Sequence, residues 1–339
     1  MPWTDQLKGD PLSWLANSHI PEVRYLARRD LLDLTNDAPQ QQAALKEAYS
    51  TGTIAFVLSK MVGDGYWQKA GPGYGPKYRS TVWSVTLLGQ LGADVNGDPR
   101  VKQASDYVLD NAMAKHGQMS YNGAPSGTFD CLQGNLCWAL LQLGCTDPRL
   151  DLAYDWMTRS VTGDGIAPAT DKKAEIRYYA YQCGPNFACG ANAKLPCAWG
   201  AAKVMMALAL VPPEKRTPMM DQAIRMGVDL FFSVDPVTAD YPRDTAGKPN
   251  RDWWAFGFPV FYITDLLQVA EFMTRLGYGR DPRLQSTLEL IRQKQDDQGR
   301  WKLEYNYGSK TWGNYGRAGM PNEWVTLRAL RVLRAAHLQ

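Results

Sequence analysis

The stretch Gln295-Asp296-Asp297-Gln298-Gly299-Arg300-Trp301 closes a helical run over 282–294, and its reading decides the fold. A helix stops, a glycine permits the tight turn, and a tryptophan folds back over it. The Gln295 amide can reach backbone carbonyls orphaned at a helix end. Weaker forms of this turn stand at Gly63-Asp64-Gly65-Tyr66-Trp67, at His116-Gly117-Gln118-Met119-Ser120-Tyr121 and at Gly163-Asp164-Gly165-Ile166. The chain therefore reads as helix pairs punctuated by one recurring turn.

The pairs have start and stop signals. Asp98-Pro99-Arg100, Asp147-Pro148-Arg149 and Asp281-Pro282-Arg283 each open an amphipathic helix, with Asp as N-cap and Pro at the first helical position. Apolar helices over 81–92, 135–144 and 266–277 each end in Leu-Gly. Further helical periodicity covers 11–17, 21–34, 37–61, 198–210, 218–232 and 321–338. This makes about twelve helices, or six pairs. The expectation is an all-α, single-domain (α/α)6 toroid over residues 1–339, with inner helices around a central apolar cavity. Two long loops, 168–196 and 233–259, read as functional or covering structure.

Gln-x3-Gly-x-Trp is the repeat signature of terpenoid cyclases of the squalene–hopene type. As a pattern of helix pairs the chain resembles a small single-toroid relative of those enzymes and of protein prenyltransferase β-subunits. The resemblance implies an enzyme acting on an isoprenoid or similarly apolar substrate held in the central cavity. It departs from the family in its motifs. No Asp-x-Asp-Asp for alkene protonation and no Asp-Asp-x-x-Asp for magnesium diphosphate occurs. Asp130-Cys131 is similar to part of the prenyltransferase zinc set, but the downstream histidine is missing; the only histidines are His19, His116 and His337.

Composition narrows the other classes. The 339 residues are 45% hydrophobic and carry 12 Trp, 17 Tyr and 9 Phe, enough for a large core. The 37 Lys+Arg against 34 Asp+Glu leave a formal charge of +3, with no basic block to suit nucleic acid. The longest apolar run, 204–211, is too short to span a bilayer. No basic segment leads into an apolar run near Met1, so the reading carries no signal peptide and a cytoplasmic location.

Chemistry is expected at three places. Cys183, Cys189 and Cys197 lie in a Gly-, Pro- and Asn-rich loop, and Cys131 stands at a helix start. Four thiolates would make a closed structural zinc site, and three would leave a catalytic position open. Free buried thiols and disulfides are the competing readings. Asp265, at the end of an aromatic stretch, and Asp130 are candidate catalytic acids, although structural carboxylates outnumber catalytic ones and each also reads as a helix-start carboxylate. The candidate substrate-binding residues are Lys77, Tyr78, Arg79, Trp83, Tyr121, Trp199, Trp253, Phe258, Tyr262 and Trp312. Rings of this kind stabilise carbocations or pack in cores, and Lys77 with Arg79 suits a diphosphate or carboxylate. Two other readings stay open. One is an (α/α)6 glycoside hydrolase or lyase with paired acids. The other is a non-catalytic zinc-stabilised binding protein.

Overall fold

The computed structural model describes residues 2–180, 182–243 and 249–338. Tyr181 and 244–248, which fall in the two expected long loops, lie outside the described residues. Thirteen α-helices follow one another through the described residues. They are α1 (Pro11–Ala16), α2 (Pro21–Leu31), α3 (Pro39–Ser50), α4 (Thr53–Ser59), α5 (Thr81–Leu91), α6 (Pro99–Asn111) and α7 (Asp130–Gln142). Then come α8 (Arg149–Thr162), α9 (Ala198–Leu208), α10 (Pro218–Phe231), α11 (Leu266–Arg275), α12 (Gln285–Gln293) and α13 (Glu323–His337). A single two-stranded hairpin, β1 (Ala188–Cys189) with β2 (Leu195–Pro196), interrupts them.

The packing partners close a ring. α5 lies on α7, α7 on α9, α9 on α11, α11 on α13, and α13 on α2. Leu26 of α2 packs so tightly on Gly92, at the end of α5, that a Cβ there would meet its Cδ2 at 2.8 Å. These six helices form the inner wall; α1, α3 with α4, α6, α8, α10 and α12 lie outside them. Burial explains the division. α5, α7 and α9 are buried on nearly every face, as inner-ring helices must be, whereas the outer helices carry one apolar stripe. The expected (α/α)6 toroid is the observed architecture.

The start signal has one geometry, used three times. Asp98, Asp147 and Asp281 each accept the backbone N–H of the Arg two residues on, at 2.9 Å. That Arg then turns its guanidinium back onto the same carboxylate, with Nη2 to Oδ2 distances of 2.7, 2.8 and 2.7 Å. The Leu-Gly stop is equally literal: Gly92 has φ +82°, a left-handed conformation that costs glycine nothing.

Two sequence expectations are corrected. The helix expected over 37–61 is broken into α3 and α4 at Gly52. The buried Glu22 carboxylate, from α2, accepts the Ile54 N–H at 2.9 Å and caps the new helix start. A Cβ on Gly52 would fall 2.4 Å from that carboxylate oxygen. In the repeat turn the tryptophan, not the glutamine, satisfies the helix end. Trp301 Nε1 donates to Ile291 O at 2.8 Å, and Trp67 Nε1 donates to Val57 O at 2.8 Å, in each case ten residues back. Gln295 instead reaches the N-terminal segment, donating to Gln6 O and accepting from Lys8 N, both at 3.2 Å. It thereby ties the first residues of the chain to the last repeat.

Candidate functional site

Residues 256–264 cross the toroid axis as an extended strap. Inner helices all around the ring hold it through its backbone. Gln90 of α5 makes two hydrogen bonds with Val260, to its N and its O, both 2.7 Å. Asn135 of α7 donates to Phe261 O at 3.1 Å, Lys203 of α9 to Ile263 O at 2.8 Å, and Arg328 of α13 to Gly257 O at 2.8 Å. Beyond a single bridge of Gly257 to Tyr305 the strap has no strand partner, so it needs such donors and acceptors, because buried peptide groups without partners are costly. A chamber lies on one side of it, at the C-terminal ends of the inner helices.

The chamber at the C-terminal ends of the inner helices has a volume of about 480 Å³. Its wall is apolar over most of its area, as expected, and strongly charged as well. Alongside Leu26, Trp138, Met206 and Phe258 it carries Arg29, Asp30, Lys203, Glu271, Arg275, Arg328, Arg331 and Arg334. Six parallel helices present their carbonyl ends here, and arginines answer that negative potential. Most are paired: Arg328 with Asp265 and Glu271, Arg29 and Arg331 with Asp30, Arg334 with Asp33. Arg275, exposed at the end of α11, forms no ion pair among the described residues, with Arg331, Asp30 and Glu271 in its neighbourhood. The Arg331 Nε is buried without an acceptor.

The opposite side of the strap gathers much of the candidate substrate set into one aromatic cluster. Tyr74 lies 5.2 Å from Trp83 and 6.0 Å from Tyr121, ring centre to ring centre. Tyr78 lies against Trp83 and Tyr307, and Trp199 lies 6.1 Å from Tyr262. The Lys77 ammonium stands 5.7 Å from the Tyr74 ring and 5.3 Å from that of Tyr262. Four members of the set lie elsewhere or pack. Arg79 stacks on Trp312, whose indole bonds Arg79 O and Ser84 Oγ. Trp253 is buried against Tyr241 and donates to Pro236 O. Phe258 stacks on Trp324 at 4.3 Å and faces the polar chamber.

The candidate acids differ sharply. Asp265 is fully buried and caps α11 through the Gln268 N–H at 2.9 Å. Arg328 grips it at 2.8 and 2.9 Å, and Tyr305 OH donates at 3.4 Å. Its lone pairs are occupied, which suits an anchor rather than a proton donor. Asp130 is buried beside Cys189; burial first, then that thiol, raise its pKa well above the usual carboxylate value. It does not line the polar chamber.

Sequence reading missed Lys203. It is 2% exposed, donates to Ile263 O and at 2.5 Å to Gln268 Oε1, and burial pulls its pKa down to about 7 despite Asp265 nearby. The signal was a single cation inside the apolar run 198–210.

The four candidate zinc cysteines are not gathered into one centre. Cys183 belongs to a separate small cluster with Trp156, Ile166 and Tyr178, and its thiol points to Ala180 O at 3.9 Å. Cys189 and Cys197 face one another, with Cys131 close by on the axis side. Among the described residues no group of three or more His, Cys, Asp or Glu side chains has an arrangement that would hold a metal ion. Among the described residues, too, no helix is long and apolar enough to cross a membrane.

Fold and axis together define an α/α-toroid protein with a strap across its centre and a cationic chamber on one side. No protein-family model matches the chain, and no curated protein does. Among solved structures it is similar to a glycosyl hydrolase family 88 protein from Bacteroides vulgatus, at 11% identity over 97% of this chain and 96% of that one, TM-score 0.49. It is also similar to the type II terpene cyclase MstE from Scytonema, at 13% identity over 87% and 99% of the two chains, TM-score 0.31. A protein from Actinoplanes matches at 13% identity over 87% and 99%, TM-score 0.35. These are likenesses of chain path, and the reading of the site rests on the chain's own geometry.

Proposed function

We propose that the chain is a toroid enzyme that takes an apolar, isoprenoid-like molecule bearing an anionic head group into the chamber at the C-terminal ends of its inner helices. The observation that carries this reading is the gathering of Arg29, Arg275, Arg328, Arg331 and Arg334 on one chamber wall, where Arg275 forms no ion pair among the described residues and the buried Arg331 Nε lacks an acceptor. A phosphate or carboxylate supplies acceptors in a geometry that suits arginine. Leu26, Trp138, Met206 and Phe258 provide apolar wall for the body of the ligand. A volume of about 480 Å³ lies within the range of small-molecule sites. At the inner end Lys203, with a pKa near 7, is the group able to take up or release a proton at neutral pH.

A paired-acid glycosidase is less well supported at this site. That chemistry needs one protonated carboxyl. Burial raises the pKa of Asp30, but Arg331 and Arg29 outweigh it and hold the carboxyl at about 2, and Glu271 is paired with Arg328. Calorimetric titration with farnesyl diphosphate, farnesol and inorganic pyrophosphate tests the reading. Farnesyl diphosphate should bind at least about tenfold more tightly than farnesol, the scale of one charge-assisted hydrogen bond, and Arg275→Ala should remove that advantage. Equal affinities, or an unaffected Arg275→Ala protein, would sink it.

A further inference from the structure

Lys203 does more at the inner end of the chamber than hold the strap. We propose, on the reading that this chamber is the binding site, that the Lys203 amine condenses with an aldehyde or ketone bearing an anionic group and holds it as an imine.

The amine stands alone in an apolar helix. Every other residue of α9 is Ala, Gly, Val, Met, Leu or Trp. Lys203 lines the chamber together with Asn135, Val260, Gln268 and Arg328. It is 2% exposed, and its Nζ donates to Ile263 O at 2.8 Å and to Gln268 Oε1 at 2.5 Å. Neither acceptor is charged. The nearby carboxylates, Asp265 and Glu271, are both gripped by Arg328, and neither forms an ion pair with Lys203 among the described residues. Other lysines are placed differently: Lys294 pairs with Glu304 at 2.6 Å, and Lys77 is exposed.

A buried ammonium without a carboxylate against it is costly, so these surroundings favour the neutral amine. A neutral amine has two N–H bonds and one lone pair. The strap carbonyl and the Gln268 amide oxygen occupy both N–H bonds, which leaves the lone pair for an electrophile in the chamber. Burial, the largest influence, and Arg328 bring the pKa down to about 7 against Asp265, Cys131 and Glu271. Desolvation beside another cation is what makes a lysine nucleophilic toward carbonyl carbon. The arginines of the same wall supply a seat for the anionic group.

The step balances without a further reactant. The Nζ lone pair attacks the carbonyl carbon, a C–N bond forms, and the π pair of C=O moves to oxygen. Both N–H protons pass to that oxygen, which leaves as water as C=N forms. An aldehyde R–CHO and the amine become R–CH=N–Lys203 and water, with no change of oxidation state. The imine nitrogen carries at most one proton, so one of the two hydrogen bonds, to the strap or to Gln268, is released.

Incubation of the full-length protein with succinic semialdehyde and sodium cyanoborohydride near neutral pH, followed by peptide mass mapping, tests this. The hydride reduces the imine to a stable secondary amine. The adduct at Lys203 should form at least about tenfold faster than at Lys77, because a buried neutral amine keeps its lone pair and a solvated ammonium does not. Butanal, which lacks the carboxylate, should label Lys203 at least about tenfold more slowly, the scale of one charge-assisted hydrogen bond. Lys203→Arg should lose the fast adduct, and urea-unfolded protein of unaltered sequence should lose the preference for Lys203. Labelling of the folded protein no faster at Lys203 than at Lys77, or as fast with butanal, would overturn the proposal. Farnesyl diphosphate that binds without protecting a reactive Lys203 would count against the isoprenoid reading and leave the imine standing. Farnesyl diphosphate binding to a chain whose Lys203 stays unlabelled would do the reverse.

Discussion

Arg328 and Asp265 form a two-pronged ion pair, 2.8 and 2.9 Å, in which both side chains are almost wholly out of solvent. The pair joins the strap, the start of α11 and the middle of α13, because Arg328 also donates to Gly257 O. Asp265→Asn or Arg328→Met leaves one buried partner uncompensated. Either should lower unfolding free energy by about 3–5 kcal/mol, the usual cost of breaking a buried pair from one side. Urea denaturation measures it. A stable Asp265→Asn protein that has lost turnover would instead return Asp265 to the role of an acid.

Trp301 is fully buried, and its indole closes the end of α12. Trp301→Ala should cost about 3–5 kcal/mol, and Trp67→Ala, with the same ten-residue geometry, a similar amount. A loss below about 1 kcal/mol in thermal or urea unfolding would show the ring to be dispensable to the turn.

Lys203 makes stability depend on pH in a defined direction. Its folded pKa is about 7 against 10.5 in the unfolded chain. Across that window the unfolded chain holds a proton that the folded protein has released, so stability rises with pH; below about 7 both states are charged and the dependence flattens. Relative to Lys203→Met, the unaltered protein should gain up to about 1.4 kcal/mol per pH unit through this window. Parallel slopes for the two proteins would place the amine in water.

Asp130 acts with the opposite sign. Its folded pKa lies well above 3.8, raised by burial and then by Cys189. Above 3.8 the unfolded chain ionises while the folded one stays protonated, so stability falls with rising pH until the buried carboxyl itself ionises. Asp130→Asn removes this dependence and should be the more stable protein at neutral pH. Equal stability of the two at pH values near 4 and 7 would contradict it.

The fold was legible because its signals are local. Each Asp-Pro-Arg start closes on its own carboxylate within three residues, and each Leu-Gly stop is settled by one left-handed glycine. The break between α3 and α4 was not legible, since it depends on Glu22 arriving from another helix. The axis was hardest to read. Asp265 drew notice for its aromatic neighbours, while Arg328, which determines its chemistry, lies 63 residues away. Arg275 ends α11 and Arg331 lies midway along α13, and nothing in either local sequence says that both reach one chamber. The closed ring brings them to the same wall. The aromatic end was more visible, because Lys77, Tyr78 and Trp83 are near neighbours in sequence.

The strap sets a floor to the chamber, with Val260 in its lining and backbone held from α5, α7, α9 and α13. If the proposed ligand enters at the arginine-lined end, the depth from there to Val260 becomes a ruler for its length. Because side chains from the wall grip peptide groups, the strap's own side chains can vary in bulk and reset the ruler's stop without loosening it.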